Sequence, residues 1–145
     1  MLMNVLVLAA QKGGTGKTTI CANLAVEAEA RGDGPVAVID VDPQGTLSKW
    51  WNRRQADTPA LVEIDVADID AQLRMLQERG TQLVIVDTPG AITSHVRAVI
   101  RAADLVPLHR GFDRLRWATP ILHQSPRSWR YRGKRAPAWL GPFGW

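Results

Sequence analysis

The nine residues Gln11-Lys12-Gly13-Gly14-Thr15-Gly16-Lys17-Thr18-Thr19 separate an apolar run, residues 5–9, from an alanine-rich helical pattern, residues 17–31. A glycine-rich turn between a strand and a helix suits phosphate. Glycine lets backbone N–H groups turn inward and approach phosphate oxygens closely. The start of the following helix adds partial positive charge. Gly13, Gly14, Thr15, Gly16, Lys17, Thr18 and Thr19 are therefore candidate phosphate-binding residues. Lys17 is placed to neutralise β- and γ-phosphates, and the Thr18 hydroxyl to coordinate Mg²⁺. The strict pattern G-x-x-x-x-G-K-[ST] has glycine where this chain has Gln11, and Lys12 supplies a second lysine.

Five short runs rich in Val, Ile and Leu read as strands: residues 5–9, 36–39, 61–66, 83–86 and 105–108. Three are nearly continuous, which suits a parallel sheet buried on both faces. The run 61–66 alternates with Glu63 and Asp65, so an edge strand is expected there. Helical patterns lie between. Residues 17–31 place Ile20, Leu24 and Ala28 on one face and stop at Gly32 and Gly34. Residues 68–79 place Ile69, Leu73 and Leu76 together and end at Gly80. Residues 94–103 place Val96, Val99, Ile100 and Ala103 together, with Ser94 as N-cap. Strands alternating with helices predict an α/β fold, a mostly parallel sheet flanked by helices.

Acids stand where two of these strands end. Asp40 and Asp42 lie in Ile39-Asp40-Val41-Asp42-Pro43-Gln44-Gly45, and Asp87 in Val86-Asp87-Thr88-Pro89-Gly90. Ligands of open α/β sheets sit beyond the carboxyl ends of strands. Asp87 is the candidate holder of Mg²⁺ or of a water on it. Asp40 is placed to support the metal shell, and Asp42, just past the strand, to orient or activate an attacking water.

These segments, taken together, resemble the ParA/MinD class of P-loop ATPases. The loop resembles the deviant Walker A motif K-G-G-x-G-K-[ST]-T, and I-D-x-D-P-Q-G and V-D-T-P-G resemble the ParA partition ATPases. The match runs in order from about Val5 to Leu108. The resemblance implies a P-loop NTPase fold, ATP and Mg²⁺ as ligands, and ATP hydrolysis. It also implies an ATP-dependent homodimer in which Lys12 crosses to the partner's phosphates and Asp42 is needed for hydrolysis, while residues 87–90 sense the γ-phosphate. It further implies a ParB-like partner protein, non-specific DNA association, and a cytoplasmic, nucleoid-associated protein of plasmid or chromosome segregation. No stable membrane association is expected.

Composition separates the chain into two parts. Its 145 residues carry a net charge of +4. Residues 1–108 sum to −3, whereas residues 109–145 carry eight Lys/Arg against Asp113 alone, a sum of +7. That tail also holds four of the nine prolines and four of the six tryptophans. The expected organisation is an ATPase core over 1–108 and an irregular basic tail over 109–145. ParA relatives continue the sheet past Leu108, so the core is expected to be incomplete at its C-terminal end. A truncated or frame-shifted chain, a nucleotide-binding remnant without hydrolysis, is one alternative. A tail binding nucleic acid through residues 127–135 is another. A MinD-like membrane-cycling ATPase is a third, disfavoured by Pro126, Pro137 and Pro142.

No run approaches the ~20 apolar residues that cross a bilayer, and the start lacks the basic residues of a signal peptide. One cysteine excludes a disulfide framework within the chain. Cys21 is expected to be buried and structural. His95, His109 and His123 lack the spacing of metal ligands. Residues 48–54 are expected to form a helix that packs one Trp on the core and leaves a solvated basic face.

Overall fold

The computed structural model describes residues 2–10, 14, 16–109 and 115–118. Strands and helices alternate as β1 (Asn4–Ala10), α1 (Lys17–Ala30), β2 (Val36–Asp40), α2 (Thr46–Trp51), β3 (Ala60–Leu61), α3 (Ile69–Glu78), β4 (Leu83–Asp87), α4 (Ser94–Arg101), β5 (Val106–His109) and β6 (Leu115–Ala118). One sheet holds all six strands in the order β3-β2-β4-β1-β5-β6. Pairing is parallel throughout except between β5 and β6. Leu8 pairs with Asp87, and Asp40 with Asp87, so β4 and β2 end level while β1 runs two residues further to Ala10.

The central strands are apolar along their length because both faces are covered. Side chains alternate across the sheet. Val5, Val7 and Ala9 of β1 join Val84, Val86, Ile39 and the α3 residues Ile69, Leu73 and Leu76 on one face. Leu6 and Leu8 join Val38, Ile85 and the α1 residues Cys21, Ala22, Ala25 and Ala28 on the other.

Three elements differ in detail from the sequence expectation. On α1 the buried stripe runs through Cys21, Ala22, Ala25 and Ala28, while Ile20 and Leu24 flank it half-buried. Nearly every position of that helix is apolar or small, so its stripe is poorly marked, and small side chains let the helix lie close to the sheet. The run 61–66 gives only a two-residue edge strand. After the Val62 N–H reaches the Val38 carbonyl at 2.9 Å, the chain leaves the ladder. The Asp65 carboxylate then accepts the Ala67 N–H and starts the 3₁₀ turn Val66–Asp68. The alternation there records one-sided burial: Val62, Ile64 and Val66 pack on the α3 side without strand pairing. Thr93, not Ser94, caps α4, its hydroxyl accepting the Val96 N–H at 3.3 Å. Adjacent hydroxyl residues fit the same sequence pattern, and only the backbone turn chooses between them.

Within the stretch expected to be irregular, four residues form β6 against β5. A four-residue run shows too little periodicity to be read. Residues 119–145, and with them His123 and the basic 127–135 segment, lie outside the described residues. Among the described residues no helix is long and apolar enough to cross a membrane.

Candidate nucleotide site

The site forms where β1, β4 and β2 end. The glycine-rich turn follows β1. Gly14 has φ 72° and Gly16 φ 82°, the left-handed region that L side chains rarely adopt. An added Cβ would meet nothing within 4 Å at either position, so backbone conformation rather than space calls for glycine. Gly16 is the N-cap of α1 and no side chain caps that helix. Its first-turn N–H groups therefore look toward the loop. Lys12, Gly13 and Thr15 lie outside the described residues.

Lys17 opens α1 and is only 6% exposed. Among the described residues nothing forms an ion pair with its ammonium, the one such pair being Arg31–Glu27. Thr18 follows, and its hydroxyl donates to Asp87 Oδ2 at 2.5 Å. Thr19 stands exposed on the next position and offers its carbonyl to Asn23 Nδ2 at 2.8 Å.

Asp87 ends β4 and is 1% exposed. Burial pushes its pKa up to about 6, opposed by the Thr18 hydroxyl; Asp40 pushes it further up and Lys17 pulls it down. Its second oxygen, Oδ1, is buried and has no hydrogen-bond partner. Cys21 sits one turn beyond Thr18, fully buried as expected. Burial first, then the charges of Asp87 and Asp40, raises its thiol well above the usual range, so it is inert as a nucleophile.

Asp40 and Asp42 are brought to the same end by β2. Asp40 Oδ1 accepts the Asp42 N–H at 3.1 Å, and Oδ2 accepts the Ser48 N–H at 2.9 Å and the Ser48 hydroxyl at 3.1 Å. Both oxygens thus already hold donors, and Asp40 fixes the start of α2 and the backbone of Asp42. Asp42 Oδ1 accepts the Gln44 N–H at 3.0 Å, and its carbonyl the Gly45 N–H at 2.8 Å. Lys49 closes the loop from α2, donating to the Gln44 carbonyl at 2.8 Å.

Two positions were silent in the sequence. Ser48 reads there as part of a basic aromatic segment, yet it is the main partner of Asp40. Thr88 stands there only within the 87–90 segment, with no role of its own, yet it is fully buried and its hydroxyl donates to the Leu8 carbonyl. The Trp-containing helix packs both rings, Trp50 and Trp51, half-buried on the α1 side, with Lys49 and Arg53 exposed. The Arg54 guanidinium lies 4.8 Å from the Trp50 ring centre. His95 is exposed on the first turn of α4.

Two loose ends test whether these residues suit a nucleotide and its cation. Lys17 is buried and makes no ion pair among the described residues, with the Asp87 carboxyl within electrostatic reach, and a phosphate would add a direct counter-charge. A buried carboxylate oxygen without a donor, beside a threonine hydroxyl, matches the oxygen ligands that Mg²⁺ takes. The residues fit both groups.

Comparison with known proteins agrees with this geometry. Residues 6–107 match the CobQ/CobB/MinD/ParA nucleotide binding domain. The chain is 40% identical over 102 residues to the maintenance of carboxysome distribution protein A of Gloeobacter kilaueensis, covering 67% of this chain and 44% of that one. It is 34% identical over 106 residues to protein ParA of Rhizobium radiobacter, covering 72% and 47%. The chain thus spans about half the length of the curated relatives it matches. Apo McdA from Cyanthece shares the fold at a TM-score of 0.59 and 23% identity, over 74% of this chain and 57% of that one. A ParA family ATPase from Chlorobium tepidum does so at 0.55 and 20%, over 72% and 59%. With two thirds of its length matched in order, and with Lys17, Thr18 and Asp87 assembled at the strand ends, the chain belongs to the CobQ/CobB/MinD/ParA nucleotide-binding family.

Proposed function

We propose that this chain is the nucleotide-binding core of a ParA-type ATPase that binds Mg²⁺-ATP, pairs with a second copy and positions a cargo in the cell. One observation carries the reading: beside Lys17, which opens α1, stands a Thr18–Asp87 pair whose second carboxylate oxygen has no partner. Lys17 and the N–H groups opening α1 compensate phosphate charge. Thr18 and Asp87 would hold Mg²⁺, which would supply neutralisation of phosphate charge. Asp40, with its oxygens committed, supports the site by charge and by fixing Asp42. Asp42 orients the attacking water, and Lys12 from the second copy adds positive charge, as the family resemblance implies. Phosphoryl transfer asks mainly for such positioning.

DNA association, a ParB-like partner and a role in plasmid or chromosome segregation follow from the likeness to protein ParA. The carboxysome-distribution relatives favour a second reading, in which the cargo is a protein body rather than DNA. Calorimetric titration of Mg²⁺-ATP into the full chain is the test, with Lys17→Ala alongside. Saturable binding that the variant loses is expected; a folded wild-type chain that binds no ATP overturns the proposal. Turnover that disappears in Asp42→Ala while binding persists supports hydrolysis. Binding without turnover in the wild type leaves the non-hydrolysing alternative. Co-sedimentation with DNA and with liposomes, each with ATP, separates the ParA-like from the MinD-like reading.

A further inference from the structure

Among the described residues the outermost strand β3 pairs with β2 alone, so its other edge is open. Just past β3 the chain lines a groove of about 610 Å³, formed by residues 63–67 and by His95 on the first turn of α4. Ile64 and Val66 are half-buried there against the α3 side of the core, while Glu63, Asp65 and His95 are exposed. Neither acid of the groove forms an ion pair among the described residues, the one such pair being Arg31–Glu27. The surrounding sequence is one-signed. Between Arg54 and Arg74 stand Asp57, Glu63, Asp65, Asp68 and Asp70, with no Lys or Arg. The opposite sign is concentrated in residues 127–135, Arg-Ser-Trp-Arg-Tyr-Arg-Gly-Lys-Arg, which hold five cations and no acid. That segment lies outside the described residues. In an extended segment of this sequence Trp129 and Tyr131 share one face, and Arg130 and Arg132 the other. Such a pattern offers rings to Ile64 and Val66 and cations to Glu63 and Asp65.

We propose that the groove beside β3 receives the basic segment 127–135 of a second copy of this chain, an association that needs no nucleotide. Reach decides for a second copy. Ala118 ends β6 opposite Val106, at the start of β5, whereas the groove follows the end of β3. From β6 to β3 are five strand spacings, about 24 Å, before the offset along the strands and the detour around the helices. The eight residues 119–126 span at most about 28 Å. The same chain's segment would arrive fully stretched or fall short, and a second copy is free of that constraint.

Sedimentation velocity on the full chain without nucleotide is the test, so its outcome does not depend on the nucleotide-binding reading. The wild type should self-associate, and raising the salt from about 0.05 M to about 0.5 M should disperse it, because the charges meet at an exposed groove. Glu63→Lys in the groove and Arg132→Glu in the segment each replace attraction by repulsion and should each weaken association about tenfold. Mixing the two variants should restore it, because each groove then meets a segment of opposite charge on the other chain. A wild type that stays monomeric at every concentration overturns the proposal. So does association that Glu63→Lys leaves unchanged, or a mixture no stronger than either variant alone. Where lysine prevents folding, Glu63→Gln takes its place with a smaller expected loss, and an unchanged association again overturns the proposal. Co-sedimentation with DNA gives the remaining decision. Arg132→Glu that loses DNA but keeps self-association makes the segment a nucleic-acid arm and overturns the proposal.

Discussion

The two faces of the sheet are built from different side chains. Toward α3 and α4, branched residues meet branched residues: Val7, Ile39, Val84 and Val86 against Ile69, Leu73, Leu76 and Val99. Toward α1, Leu6, Leu8, Val38 and Ile85 meet Cys21, Ala22, Ala25 and Ala28. Small side chains let a helix approach its sheet closely, and α1 begins at Lys17 and Thr18. The depth at which α1 lies thus decides whether Thr18 reaches Asp87, which it does at 2.5 Å. The α3/α4 face contributes buried apolar area; the α1 face also sets the geometry of the site.

The sharpest break of that comparison is at Lys17. Lys17→Ala should weaken Mg²⁺-ATP binding by about 10³-fold, the ~4 kcal/mol of a buried charge pair losing one partner. The next pair of variants tests the faces directly. Leu73→Ala on α3 should cost about 3 kcal/mol in urea unfolding, as cavities of that size do, with nucleotide affinity retained once the protein is folded. Ala25→Leu on α1 should cost about 2 kcal/mol by overpacking, and should also weaken nucleotide binding by lifting α1. Equal effects of both variants on affinity would remove the distinction between the faces.

Asp87 gives a pH-dependent signature of similar size. Its pKa is raised from 3.8 to about 6, chiefly by burial. The folded state therefore holds this proton more tightly than the unfolded state. The contribution is fully present below pH 3.8 and is lost as the pH rises through about 6, amounting to roughly 2–3 kcal/mol. Asp87→Asn should flatten this part of the stability profile between pH 4 and pH 7, measured by urea unfolding of the nucleotide-free chain; an unchanged slope would assign the dependence to other acids. The smallest effect is at the far face. Thr93→Ala should cost about 1 kcal/mol as a lost helix cap, against no measurable loss for Ser94→Ala.

Much of this architecture was legible in the residues. The near-continuous runs at β1, β2 and β4 marked a parallel sheet because a strand buried on both faces has no polar side. The stripe Ile69, Leu73 and Leu76 named the buried face of α3 correctly, since the helix is polar elsewhere. Legibility failed where the pattern was flat or the partner distant. The alanines of α1 offered no contrast between faces. The alternation at residues 61–66 recorded burial on one side and so resembled a strand that hydrogen bonding did not continue. Ser48 and Thr88 act through Asp40 and Leu8, which lie 8 and 80 residues away in the chain. No local spacing announces such pairs.

The sequence by itself determined the alternation of strands and helices up to β5, the glycine-rich turn after β1 and the presence of acids at strand ends, because these depend on local periodicity, on glycine's backbone freedom and on neighbours along the chain. Only the tertiary structure decided that β4 inserts between β1 and β2, that Asp87 comes to Thr18 from 69 residues away, and that Asp40 spends its oxygens on Ser48 and Asp42. Strand order brings distant chain ends together, and burial then fixes which of their polar groups find partners and which, like Asp87 Oδ1, are left without one.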